Sequence, residues 1–176
     1  GYIFECVATN LTLAMLVTGF EAYSKKRFLE LEQEGIAPKN DAIIKDFYPK
    51  KEREAGIQQL LEEEASEAGV SLLQHIVSRN TINFQNYDNC KRAFNKGYGI
   101  KFGELGATNE TLGSIQSYIR YRHKIVHTSP VIGFLNQEHV PPQEPVFSNK
   151  QTASHAAGCF SVFIDLLHNK TLSLRP

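Results

Sequence analysis

Little in this 176-residue sequence interrupts regular structure, because it holds only 7 prolines and 12 glycines. Most of the chain is therefore free to be helical or extended. Cysteine is scarce too. Cys6, Cys90 and Cys159 are odd in number and far apart, which excludes a disulfide framework and a paired-cysteine zinc pattern and suits a reducing cytosol. Net charge is absent, with 19 basic side chains against 19 acidic ones. That balance argues against a general nucleic-acid coating protein but leaves room for a local basic site. No apolar run approaches the roughly 18 residues that span a bilayer, so no membrane partner is expected and the chain reads as cytoplasmic. Leu11 to Phe20 resembles a signal h-region, yet it lacks a positive n-region and runs into a charged helical pattern. It reads as a core helix. The start at Gly1-Tyr2-Ile3, without methionine, leads to the expectation of a tag remnant or a fragment of a longer chain.

What is present is an ordinary globular composition, 41% hydrophobic and 22% charged. At this length a single domain can bury about 68–70% of its unfolded surface. The periodicity predicts a helix over about 8–34, with Leu13, Leu16, Phe20, Tyr23, Arg27 and Leu31 on one stripe. Its first half is apolar nearly all round, as expected of a helix buried between neighbours. Gly35 and Pro38 stop it. A short helix is expected from Asn40 or Asp41 to Tyr48, then a helical region from Lys50 to about Ser78 broken near Gly69. Residues 80–106 read as a short helix around Lys91, Ala93 and Phe94, with 98–102 possible as extended chain. A strong helix is expected from Thr108 or Asn109 to about His127. Pro130, Pro141, Pro142 and Pro145 then mark a long loop, and Ser148 with Gln151 has capping-box spacing for a last helix. The sum is one all-α domain over 1–176, a bundle of about four to six helices.

The chemistry concentrates on the helix ending at His127. At 100° per residue, Leu112, Ile115, Ile119 and Val126 form an apolar stripe, and Arg122 falls on that stripe. A buried arginine is costly unless a carboxylate or phosphate satisfies it. Beside the stripe, Gln116, Arg120, His123 and His127 share a polar face. No acidic residue occurs from Thr111 to Gln137, and Arg79 to Gly103 carries five basic residues against Asp88 alone, while the acidic side chains gather between Glu52 and Glu67. This polarity predicts a positive half that favours an anionic ligand. The spacing of His123 and His127 also fits a metal pair, but no third ligand is evident, so no metal and no cofactor are expected.

Arg122-His123-Lys124-Ile125-Val126-His127 resembles the signature of HEPN domains, an arginine followed four to six residues later by histidine, with a polar residue after the arginine. Gly19-Phe20-Glu21-Ala22-Tyr23 and Ile82-Asn83-Phe84-Gln85-Asn86-Tyr87 are similar in character to bacterial members. The resemblance implies a HEPN-like helical bundle and a metal-independent endoribonuclease. Two protomers would place their motif helices side by side, cutting RNA through its own 2′-hydroxyl and leaving a cyclic phosphate. Arg122, His127 and His123 are then the catalytic residues, Arg120, Lys124 and Gln116 contact RNA, and Glu21 is a possible carboxylate partner for Arg122. RNA and a second copy are the implied partners, with an antitoxin or regulatory domain expected of a toxin or defence protein. The alternative is a non-catalytic HEPN module that binds nucleotide or RNA or acts as an interaction domain. A hydrolase of another class finds no support, since no P-loop, nucleophile elbow or H-E-x-x-H motif is present.

Overall fold

The computed structural model describes residues 2–127 and 149–176, with side chains described from Phe4 to His123 and from Asn149 onward. Among the described residues every regular element is helical: α1 (Tyr2–Gln33), α2 (Asn40–Phe47), α3 (Lys50–Glu54), α4 (Ile57–Ala68), α5 (Leu72–Ser78), α6 (Tyr87–Tyr98), a 3-10 turn at Phe102–Glu104, α7 (Asn109–His127) and α8 (Lys150–Leu172). The fold class is an all-α bundle, as the periodicity predicts. The helix count exceeds four to six because the 50–78 region is cut twice. Gly56 and Gly69 both adopt left-handed backbone conformations, with φ of 89° and 67°, and L side chains rarely enter that region. Tyr98, expected as possibly extended, instead closes α6, and left-handed Gly99 caps it.

The chain separates into two compact units, residues 1–21 with 106–166 and residues 22–105 with 167–176. In the first, α1 and α8 run parallel, for the Lys150 N–H donates to Glu5 Oε1 at 3.1 Å and Phe20 meets Phe160 and Phe163 at ring distances of 5.6 and 5.8 Å. α7 runs antiparallel to α8, with Tyr118 beside His155 and Phe160. Leu13, Val17, Phe20, Ile115, Phe160 and Phe163 form the buried core of this unit.

The second unit is centred on Phe28, whose ring packs against Phe84, Phe94 and Tyr98 at 5.5, 5.3 and 5.3 Å. Gly97 lets this cluster close: a Cβ there would sit 3.1 Å from the Phe28 ring and 3.3 Å from Ile43 Cδ1. Arg27, on the predicted stripe, is buried in this unit. Its Nε donates to Thr171 Oγ1 at 2.8 Å, and its two terminal nitrogens grip Glu34 at 2.6 and 3.0 Å. Arg175 holds the same carboxylate from the far end of the chain, through two bonds of 2.9 Å.

Two expectations are revised. The first half of α1 is not buried all round, because Phe4, Leu11 and Met15 face outward. At the start of α8, the described cap is Asn149, whose Oδ1 accepts from the Thr152 N–H at 3.1 Å. Ser148 and the expected proline-rich loop lie outside the described residues.

Candidate functional site

The apolar stripe of α7 is buried as its spacing requires, with Leu112, Ile115, Tyr118 and Ile119 all in the core. Arg122 continues that stripe by one further turn and is half-buried. Its Nε is wholly buried and has no hydrogen-bond partner among the described residues. No described carboxylate forms an ion pair with it. Leaving a buried charged donor unsatisfied costs on the order of 1–3 kcal/mol or more, so the described stripe ends in a donor that no described residue satisfies.

Gln116 is half-buried, and Arg120 and His123 are exposed. Arg120 makes a long 3.5 Å contact with Ser117 Oγ. The side chains of Lys124 and His127, both expected site residues, lie outside the described ones, although α7 carries the backbone through His127.

Glu21 does not pair with Arg122. The helix registers give the reason. Glu21 follows Phe20, at the level of Phe160 and Phe163 on α8, whereas Arg122 lies one turn beyond Tyr118, toward the start of α8. At 1.5 Å per residue the two levels differ by about 16 Å. The carboxylate nearer the level of Arg122 is Glu5, and it is occupied with the backbone N–H of Lys150. There it opposes the partial positive charge of the α8 N-terminus.

A cluster the sequence did not single out lies one turn earlier on α7. The Tyr118 hydroxyl is 2.6 Å from His155 Nδ1, and the same ring lies 3.7 to 3.9 Å from Cys159 Sγ. Burial pushes both the Tyr118 hydroxyl and the Cys159 thiol up from their ordinary values. A thiol held protonated is a poor nucleophile, so the arrangement holds His155 in place rather than making a reactive cysteine. Spacing could have flagged the pair His155 and Cys159 as one helical turn. Only the packing of α7 on α8 adds Tyr118.

The second basic stretch behaves differently. Arg79 pairs with Glu64, Arg92 and Lys96 with Asp46, and Lys101 with Glu104. Arg92 also lies over the Phe47 ring, 4.8 Å from its centroid. Four of the five basic residues between 79 and 103, all but Lys91, are thus paired locally. Among the described residues no group of three or more metal-ligating side chains exists. One described helix, α1, is long and apolar enough to cross a membrane by length and composition, a test that core helices also pass. No protein family, characterised protein or solved structure matches this chain.

Proposed function

We propose that the chain is a HEPN-type, metal-independent endoribonuclease that works as a homodimer in the cytoplasm, in a toxin-like or defence role under the control of a partner or neighbouring domain. The observation that carries this reading is the buried Nε of Arg122, which has no partner among the described residues, at the end of an apolar stripe in a stretch without acidic residues. A guanidinium in that position is prepared for an anion, and RNA phosphate supplies one.

Arg122 and His127 are five residues apart and differ by about 140° around α7, so one helix cannot readily aim both at one phosphate. Two copies related by a two-fold axis can. In the proposed reaction a neutral His127 accepts the proton of the ribose 2′-hydroxyl as its oxygen bonds to the adjacent phosphorus. The P–O5′ bond breaks, and the protonated His127 of the second copy gives its proton to the leaving oxygen. A 2′,3′-cyclic phosphate and a 5′-hydroxyl result. An imidazole pKa of roughly 6.5 suits both roles. Arg122 stabilises the charge that grows on the phosphorane, and His123 orients the phosphate or Arg122, with Arg120, Lys124 and Gln116 along the RNA.

The test is incubation of the pure protein with tRNA and messenger RNA, with and without EDTA. Cutting should survive the chelator, leave DNA intact and fall at least about 100-fold in Arg122→Ala and His127→Ala, as for loss of one transition-state charge donor. Chelator-sensitive cutting, or full activity in either variant, refutes the reading.

A further inference from the structure

Asn10 of α1 is a buried amide among apolar side chains. It is 4% exposed, and Cys6, Leu13 and Val17 share the buried face with it. Asparagine is a poor helix former, and its amide is costly to bury without a polar partner. The groove that α1 shares with α8 is lined by Thr12, Leu16 and Gly19. At 100° per residue Asn10 lies about 160° from Thr12, on the flank of α1 turned away from α8. The other described helix of this unit is α7, and Asn10 is buried on the side facing it.

The helix registers bring it to Arg122. Glu5 accepts from the Lys150 N–H, and α1 and α8 run parallel. Asn10, five residues past Glu5, is therefore level with His155, five residues past Lys150. Tyr118 shares that level, its hydroxyl 2.6 Å from His155 Nδ1. Arg122 starts one turn away, about 6 Å along α7, and side chains on a helix lean back toward its N-terminus. The Arg122 side chain thus leans toward the level of Tyr118 and Asn10. Its Nε is wholly buried, with no hydrogen-bond partner among the described residues. A phosphate arriving from solvent meets the outer nitrogens of the guanidinium first, so Nε needs an acceptor from inside the protein. The Tyr118 hydroxyl is engaged with His155; Asn10 offers an amide oxygen.

We propose that Asn10 is the positioning residue of the anion site: its amide oxygen accepts from Arg122 Nε while the two terminal nitrogens of the guanidinium grip an RNA phosphate. Hydrogen bonds in a ligand-free site are often long and tighten in the complex, so this bond closes as the phosphate is bound. The chemistry selects an amide. Glu34 holds both terminal nitrogens of Arg27 and neutralises it, and a carboxylate beside Arg122 would likewise compete with phosphate. An aliphatic side chain would leave Nε unanswered. A neutral carbonyl oxygen fixes the guanidinium plane and leaves its charge to the ligand. The role of Asn10 rests on the reading of Arg122 as the phosphate-binding group, whereas its pairing with Arg122 is tested without RNA.

Thermal unfolding of the full chain reads the pairing. Asn10→Asp should keep the wild-type midpoint or raise it while Arg122 is present, and should lower it in the Arg122→Ala background, where the buried carboxylate has no cation. Binding is read by fluorescence anisotropy with a labelled 2′-O-methyl oligoribonucleotide, which has no free 2′-hydroxyl and cannot be cut. Asn10→Asp should weaken it at least about 10-fold and Asn10→Leu about threefold or more, and neither should weaken it further once Arg122 is alanine. Equal destabilisation by Asn10→Asp in both backgrounds overturns the proposal. So does full binding by Asn10→Leu, or a loss of binding that adds to that of Arg122→Ala. A wild type that shows the thermal coupling but binds no oligonucleotide sinks the nuclease reading while upholding the pairing of Asn10 with Arg122.

Discussion

Arg27 and Arg122 each sit on the apolar stripe of a long helix, and only their surroundings tell them apart. Arg27 meets Thr171, Glu30 and Glu34, so its donors are answered within its own unit and Glu34 raises its already high pKa. Arg122 leaves a buried Nε without a partner among the described residues. The first arrangement ties the end of α1 to the end of the chain. The second leaves an arginine whose partner must come from outside the described fold. An arginine in an apolar stripe is therefore not in itself a sign of function; what distinguishes the two is whether a described carboxylate answers it.

Removing each arginine tests that contrast most severely. Arg27→Ala should lower stability by about 3 kcal/mol, as when one member of a buried pair is deleted and its partner stranded. Arg122→Ala should leave the urea midpoint unchanged or raised while abolishing anion-dependent behaviour. Equal destabilisation by the two would erase the distinction.

Acid sharpens it further. Hydrogen bonds from Arg175, and next from Arg27, hold the Glu34 carboxyl far below the usual carboxylate range. Its pKa is depressed on folding, so its contribution is fully present above the unfolded value of about 4.3 and fades as pH falls below it. Urea midpoints measured from pH 7 to pH 2 should drop on the acid side for the wild type and drop less for Glu34→Gln. A superimposable acid limb in that variant would show that the clamp contributes nothing. The smallest effect is expected at Tyr118→Phe, where loss of the bond to His155 should cost about 1 kcal/mol in thermal unfolding. A neutral result would mean that this contact is replaced by water.

Much of the fold is legible in the sequence. Gly35, Pro38, Gly69 and the spacing of Ile115, Ile119 and Arg122 locate helix ends and faces, because turn chemistry and the 3.6-residue period are local. Gly56 was missed as a break, since a single glycine among helix formers does not announce a left-handed turn. Tyr98 was missed as a helix end because its hydroxyl donates to the Phe28 carbonyl, 70 residues away in sequence. At the site, the α7 stripe and its arginine were legible, whereas Glu21 was a wrong partner for Arg122, because nothing local tells the level of one helix against another.

Periodicity and breakers, read along the chain, were enough to specify an all-helical protein and to single out α7 as its unusual helix. Both are properties of neighbours a few residues apart. Which arginine is answered by a carboxylate, and which face of α1 stays uncovered, depends on residues brought together from distant parts of the chain. Those pairings follow from the register of packed helices, which no stretch of sequence encodes alone.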